Sequence, residues 1–185
     1  MLNIIFRQVW TELCVPFGHD YTPFRLMQLV TNGIDQFPNV RTVVLRGADL
    51  NQSTLTVFID KRSQSYQELS CNSFVMFHAY DGERDFQLRM KGKANIADGE
   101  RIAEHWHQLR EASRELFSRG CPPRQILNCP EDAERDGYEI ESNVNFAVVD
   151  VTISSFEVLD VSQDIHRRAC FDRQAEGWTM VWIAP

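Results

Sequence analysis

The sequence predicts a mainly β protein, an antiparallel barrel with helices at its rim. Seven or eight short apolar segments have the alternation or the β-branched content of strands, whereas only two or three segments have helical spacing. Most of the strands follow one another directly along the chain through polar or glycine-containing turns, which is typical of hairpins. The 185 residues suit a single domain, residues 1–185, with enough length for a real core.

The N-terminal part of the chain is predicted to be helical. Apolar residues at helical spacing favour a short helix over residues 3–14, within an N-terminal helical segment 1–20. Pro16 and Gly18 are expected to stop it. Phe24 to Val30 is predicted to be a strand, joined by a long hairpin to the strand that follows.

The segment Arg41-Thr42-Val43-Val44-Leu45-Arg46-Gly47 is the centre of the pattern. Its β-branched run favours a strand over a helix. The two arginines are an odd number of residues apart, so they should point to opposite faces of that strand. A guanidinium can bind a phosphate through two parallel hydrogen bonds, although arginines also serve as edge charges that prevent sheet aggregation. The segment therefore predicts either an anion site or a protected edge.

A polar turn follows the next strand, which contains Leu55, Val57 and Ile59. Ser63 in this turn is a candidate N-cap for a short helix, and the first residues of a helix offer backbone N–H groups to an anion. An ordinary capped turn explains the same residues.

A further hairpin is predicted from Phe74 to Tyr80 and from Phe86 to Ile96. Gln87 lies on the polar face of its second strand. A side-chain amide donates and accepts, as binding the edge of a heterocycle requires. A solvated glutamine is the commoner explanation.

One long helix is predicted over residues 99–118, with Asp98 as its cap and one apolar stripe. His105 and His107 diverge on this helix, so no metal site is predicted there. Residues 119–141 are rich in Pro, Gly and acidic residues and are expected to form a surface loop. The tail returns to strands, predicted at residues 145–153, 156–161, 165–173 and 178–183.

Charge and cysteine content exclude several classes of partner. The net charge of −7 opposes binding to nucleic acid or an anionic membrane, since both need a basic face. No apolar run is long enough to cross a bilayer. The five cysteines form no C-x-x-C pair, and no secretory signal is apparent, so reduced thiols and a cytoplasmic location are expected.

Several motifs, taken together in order, resemble the pyridoxamine 5′-phosphate oxidase-like, FMN-binding split-barrel family. The resemblance is to the branch with R-T-V-V-L-R-G followed by T-D-x-R-S-x-K, and it covers about residues 24–185. The residues that carry it are Arg41 to Gly47, Phe58 to Ser63, Glu68-Leu69, Gln87, Gly92, Trp106, His166-Arg167-Arg168 and Trp178 to Pro185.

The resemblance implies a six-stranded split barrel that forms a homodimer, with FMN at the subunit interface. It also implies a flavoprotein oxidoreductase acting on a small molecule, with a flavin-holding or flavin-free dimeric scaffold as the alternative. No catalytic side chain is expected, because the cofactor supplies the redox chemistry. The implied FMN contacts are Arg41, Thr42, Val43, Val44, Leu45, Arg46, Phe58, Ile59, Arg62, Ser63, Gln64, Ser65, Gln87 and, from the second subunit, Arg168.

Substrate contacts are expected from Arg46, Trp106, Arg110 and His166. Two departures from the family pattern change these expectations. Ser65 and Gln64 stand where the family usually has lysine and often arginine, which removes charge from the phosphate turn.

The second departure is Asp164, which stands where true pyridoxamine phosphate oxidases have an arginine for the phosphate of the substrate. A carboxylate would repel that phosphate. The sequence therefore favours a substrate other than a vitamin B6 phosphate.

Overall fold

A computed structural model of the protein describes residues 1–15, 23–134 and 143–185. The expected helix stops Pro16 and Gly18, and the end of the predicted loop 119–141, lie outside these residues.

Six strands close into the predicted antiparallel barrel. Their order around the ring is β3-β2-β1-β4-β5-β6, and β3 pairs with β6 to close it. Two more strands, β7 and β8, continue the sheet outward from β6. The strands are β1 Leu26–Asn32, β2 Pro38–Asp49, β3 Thr54–Asp60, β4 Phe74–Asp81, β5 Phe86–Ile96, β6 Phe146–Asp160, β7 Arg167–Gln174 and β8 Gly177–Ile183.

Side chains that alternate along these strands fill the barrel. Met27 and Leu29 on β1, and Leu88 and Met90 on β5, are fully buried, while their neighbours point outward. The helices lie outside the ring. They are α1 Leu2–Leu13, α2 Gln64–Cys71, α3 Gly99–Gln108 and α4 Glu111–Ser118, with a short 3₁₀ helix at Pro130–Glu134.

Strands β2 and β5 lie on opposite sides of the ring, since two strands separate them in either direction. Outward-pointing side chains on these two strands therefore point away from each other. This arrangement matters because both strands carry residues of the expected flavin site.

The single helix predicted over residues 99–118 is wrong. Leu109 and Arg110 have extended backbone, with ψ of 140° and 149°, and separate α3 from α4. The guanidinium of Arg114 donates to two carbonyls at the end of α3, those of Trp106 (3.2 Å) and His107 (2.9 Å). The break lets Leu109 enter a small core outside the barrel with Trp106.

Other expectations need smaller corrections. Asp98 occupies the N-cap position of α3, but its side chain makes no capping hydrogen bond. The strands predicted at 145–153 and 156–161 are one strand, β6, because its pairing with β5 continues on both sides of a one-residue bulge at Ser154. Strand β2 also extends through Asp49, two residues beyond the segment Arg41 to Gly47.

Candidate functional site

The two arginines of β2 lie on opposite faces of the strand, as their spacing predicts. Arg41 shares its face with the buried side chains of Val43 and Leu45, and it pairs with a carboxylate of α2. Arg46 lies on the outer face, with its guanidinium carbon 5.4 Å from the centre of the Phe58 ring. One strand thus contributes to two neighbouring environments.

Glu68 of α2 is the centre of the first environment. Its side chain is 0% exposed, and it accepts hydrogen bonds from Thr31 (2.5 Å), Asn39 (2.5 Å), Arg41 (2.8 Å) and Gln64 (2.8 Å). Burial alone would raise the pKa of this carboxyl, but the hydrogen bonds from Thr31, Asn39 and Arg41 outweigh burial and lower it. Glu68 is therefore a carboxylate that fixes strand β2 and the start of α2 to each other.

Arg41 is held by this network without being enclosed by it. Its Nη1 donates to Thr31 and its Nη2 to Glu68, and its side chain is 24% exposed. A guanidinium has five N–H donors, so a fixed Arg41 can still donate toward an anion in solvent.

The turn before α2 has the capped geometry that the sequence predicts. The hydroxyl of Ser63 accepts from the backbone N–H of Tyr66 (3.3 Å) and donates to the carbonyl of Asp60 (2.6 Å). The Ser65 hydroxyl lies 2.8 Å from that of Ser63.

Arg62 makes hydrogen bonds that hold this turn in place. Its Nε and Nη2 donate to the carboxylate of Asp60 at 3.0 and 2.7 Å, and its Nη1 donates to the carbonyls of Arg119 (2.5 Å) and Gly120 (3.3 Å). The hydrogen bond to Asp60 raises the pKa of Arg62. Four of its five N–H donors are engaged, so Arg62 fastens the turn to the segment after α4.

The second environment is a cleft of about 430 Å³ between the outer face of the barrel and helices α3 and α4. This volume lies in the range of small-molecule sites, roughly 300–1,000 Å³. Because the helix break places residues of both helices along one wall, the cleft has a mixed apolar and cationic lining. Its lining residues are Arg25, Val44, Arg46, Phe58, His105, Gln108, Leu109, Arg110, Ala112 and Ser113.

Electrostatics in the cleft favour an anionic or electron-rich ligand. Burial and the neighbouring Arg25 guanidinium lower the pKa of Arg46. Burial, together with Arg101, lowers the pKa of His105, although Glu104 partly opposes this shift. The Nε2 atom of His105 is buried and has no hydrogen-bond partner. The wall thus presents cations and a neutral imidazole.

Two of the predicted FMN contacts, Gln87 and Arg168, lie away from both the cleft and the turn before α2. Gln87 on β5 is in register with Leu159 on β6, which is in register with Arg168 on β7. These three residues point to one outer face of the sheet, and the first and last are about 10 Å apart across two strand spacings. Arg168 donates to Glu157 (2.6 Å), which also accepts from Arg89 (2.5 Å).

The remaining predicted residues divide by burial. Val43, Leu45 and Ile59 have buried side chains, so only their backbone groups are available to a ligand. Trp106 is 4% exposed and packs on Phe146, with ring centroids 5.3 Å apart.

Other predicted positions are more exposed. Thr42 is exposed on the outer face of β2, and His166 is exposed just before β7. Of the expected substrate contacts, only Arg46 and Arg110 line the cleft. The structure therefore places Trp106 in the core and His166 away from the cleft within one chain.

Three residues of the site are absent from the sequence-based set. Glu68 was noted only as part of a motif, although a carboxylate one turn into a short helix after two arginine-bearing segments is a signal for pairing. Arg25 is one strand away from Arg46, since its carbonyl accepts from the N–H of Leu45 (2.8 Å). His105 was weighed only as a metal ligand.

Comparison with known proteins finds a family model that matches the N-terminal half of the chain. The family model described as "Pyridoxamine 5′-phosphate oxidase, FMN-binding domain" matches residues 7–98. Residues 7–98 are therefore similar to this family. The matched segment includes the β2 strand, the turn before α2 and Gln87, but it ends before α3, so the helix wall of the cleft and Arg168 lie outside it.

A curated relative also matches part of the chain. Pyridoxine/pyridoxamine 5′-phosphate oxidase 2 of Arabidopsis thaliana is 30% identical over 104 residues, which are 56% of this chain and 52% of that protein. The chain thus matches about half the length of this curated relative.

Solved structures share the fold. A pyridoxamine 5′-phosphate oxidase-related, FMN-binding protein of Nostoc punctiforme superposes with a TM-score of 0.74 at 22% identity, over 87% of this chain and 88% of the other. PhzG of Burkholderia lata, solved in complex with tetrahydrophenazine-1-carboxylic acid, has a TM-score of 0.80 at 16% identity, over 99% and 91%. These matches confirm the split-barrel prediction.

In the described parts of the chain, no helix is long and apolar enough to cross a membrane. All five cysteines have free thiols.

Proposed function

We propose that the protein binds FMN between two copies of the chain and works as an oxidoreductase on a small molecule. The observation that carries the proposal is the Arg41–Glu68 pair, a fixed guanidinium beside a capped helix start in a segment similar to an FMN-binding family. Such a pair holds an anion-binding donor in place before the ligand arrives, which reduces the entropic cost of binding.

The residues fit a flavin in two parts. Arg41, the hydroxyls of Ser63 and Ser65 and the first N–H groups of α2 would hold the phosphate end. The backbone of Thr42–Arg46 and the Phe58 ring would lie beside the ring system, in or next to the cleft. FMN, when bound, supplies the redox chemistry by accepting and returning a hydride.

A homodimer is proposed because one chain cannot complete this site. Gln87 and Arg168 point outward on the side of the ring opposite β2. A second copy that packs against β2 could bring its own Gln87 and Arg168 to the flavin held by the first. Closed two-fold dimers are the commonest soluble oligomers, and each would contain two equivalent sites.

On the substrate side we propose that Arg46 and Arg110 bind and orient an anionic or electron-rich group in the cleft. His166 is proposed as a contact contributed by the second copy, since it lies on the same side of the molecule as Arg168. Trp106 is proposed to act indirectly, as the core residue through which α3 packs on Phe146. The free thiols fit a cytoplasmic location, which stays a prediction.

The direct test is an absorbance spectrum of the freshly purified protein, with its mass in solution. We expect flavin bands and twice the mass of one chain. A colourless monomer that takes up no flavin from excess FMN would refute the proposal.

A second candidate function is a holder of flavin without turnover, favoured by the neutral pairing of Arg62 with Asp60 in the phosphate turn. Anaerobic reduction by NAD(P)H, followed by reoxidation in air, separates the two. Bleaching and recovery support the enzyme, and a flavin that stays oxidised supports the holder.

Oxidation of a vitamin B6 phosphate is the activity named for the Arabidopsis relative. We expect no turnover of pyridoxine 5′-phosphate here, because Asp164 lies exposed in the turn before β7, where it would oppose a phosphate. Robust formation of pyridoxal 5′-phosphate would contradict this expectation.

A further inference from the structure

Two of the three cations around the proposed phosphate turn are paired with carboxylates. Arg41 pairs with Glu68 (2.8 Å) and Arg62 pairs with Asp60 (2.7 Å). Together with Lys61, these five side chains carry three positive and two negative charges, a net charge of one. A phosphate monoester carries about −1.5 to −2 at neutral pH, so the turn does not balance it.

Glu68 cannot readily give up its charge to improve this balance. It is fully buried, and the hydrogen bonds it accepts hold its pKa below the ordinary value. Because Arg41 shares its guanidinium with this permanent carboxylate, an incoming phosphate competes with Glu68 for the same charge.

The other donors of the turn are neutral and partly engaged. The Gln64 amide donates to Glu68 (2.8 Å), and the Ser63 and Ser65 hydroxyls bond each other (2.8 Å). The N–H of Tyr66, in the first turn of α2, is already capped by Ser63. Hydrogen bonds between neutral groups and an anion are weaker than those in which both partners are charged.

The ring end of the proposed site does not depend on these groups. Val44, Phe58 and Leu109 give the cleft apolar surface, and Arg46 adds a cation over the Phe58 ring. Burial of an aromatic ring system there would contribute to affinity through its apolar area. This contribution is the same with or without a phosphate on the ligand.

We propose that this site recognises a flavin by its ring and ribityl chain and gives little preference to the terminal phosphate. Riboflavin is then a ligand of the protein with an affinity close to that of FMN. This inference rests on the proposed function, since it concerns the same site.

The test is titration of flavin-stripped protein with riboflavin and with FMN at one fixed salt concentration, followed by quenching of flavin fluorescence. We expect the two dissociation constants to differ by less than about tenfold, because both arginines of the turn are shared with carboxylates and only Lys61 adds charge against the phosphate. A preference for FMN above about tenfold overturns the inference, whereas absence of binding by both flavins overturns the proposed function as well.

A charge-addition variant sharpens the result. Ser65→Lys places an ammonium in the turn, so FMN affinity should rise by about tenfold while riboflavin affinity stays the same. Ser70→Lys adds the same charge on the exposed side of α2 and is the matched control, for which the ratio should not change. A ratio unaltered by Ser65→Lys, with the urea midpoint of the variant as a check on folding, contradicts the inference.

Discussion

Two carboxylates, Glu68 and Glu157, each accept hydrogen bonds from arginine but lie in different surroundings. Glu68 is fully buried between β1, β2 and α2 and accepts from four side chains. Glu157, on the outer face of β6, is 23% exposed and accepts from Arg89 and Arg168. The first is enclosed within one chain, whereas the second lies on an open sheet face.

The contrast teaches how position decides what an ion pair does. A buried carboxylate that loses a partner is left with an uncompensated desolvation cost, so its network holds the fold. An exposed pair contributes little to stability, because water and salt screen it. Its arginines are available for another task, and here that task is the proposed contact with a second copy.

The largest expected effect on the free energy of unfolding is that of replacing Glu68. Glu68→Ala leaves the Arg41 guanidinium without its carboxylate and should lower the free energy of unfolding by about 3 kcal/mol. Urea denaturation measures this loss. Glu68→Gln, which keeps the size and an acceptor, should cost less, and a Glu68→Ala variant as stable as the wild type would remove the distinction between the two regions.

The next effect tests whether the two regions meet at one ligand. Arg41→Ala and Arg168→Ala should each weaken flavin retention. The first releases strand β2 from Glu68 of α2, and the second removes a charge-assisted hydrogen bond that is worth about 1.5–3 kcal/mol. A mixed dimer of the two variants has one site with both substitutions and one site with neither. Co-expression with two tags and tandem purification should therefore give about one flavin per mixed dimer.

This prediction fails if the mixed dimer is as empty as both parent variants. That outcome would mean that both arginines serve the flavin from the same chain. Arg101→Ala, which removes a more exposed arginine paired with Asp150, is the control for a general effect of lost charge.

The loss of stability at low pH should come mainly from Glu68. The pKa of Glu68 is depressed on folding, so its contribution is fully present above the ordinary value of 4.5 and is lost as the pH falls through the folded pKa. Glu68→Gln should flatten the fall in unfolding free energy over that range. Glu157→Gln should flatten it less, because that group is more exposed; equal flattening by both variants would contradict the comparison.

The smallest effect is expected on the open face. Glu157→Ala should change the free energy of unfolding by less than about 1 kcal/mol, and added salt should reduce the change further. Urea denaturation at low and high salt measures both. A loss comparable to that of Glu68→Ala would show that the open face holds the fold after all.

Local chemistry made much of the fold predictable. The β-branched run between Arg41 and Arg46 specified its strand and the opposite faces of its two arginines, because strand periodicity is fixed by geometry. The Ser63 cap was equally accessible, since a serine before a short helix satisfies its N–H groups. Hairpins between successive strands then limited the topology to a barrel.

Features decided by tertiary contacts were not predictable in the same way. The apolar stripe over residues 99–118 is continuous in sequence, and only the carbonyl partners supplied by Arg114 and the burial of Leu109 explain the break. The pairing of Arg41 with Glu68 joins positions 27 residues apart. The position of Gln87, on the side of the ring opposite β2, can be deduced only once the closed strand order is known.

Because the backbone is extended at Leu109–Arg110, the helices that line the cleft can shift while the barrel stays the same. The barrel closes without α3 and α4, so an insertion or deletion of a residue at this junction would resize the cleft without altering any strand register. The size of the cleft can therefore change independently of strands β2 and β3.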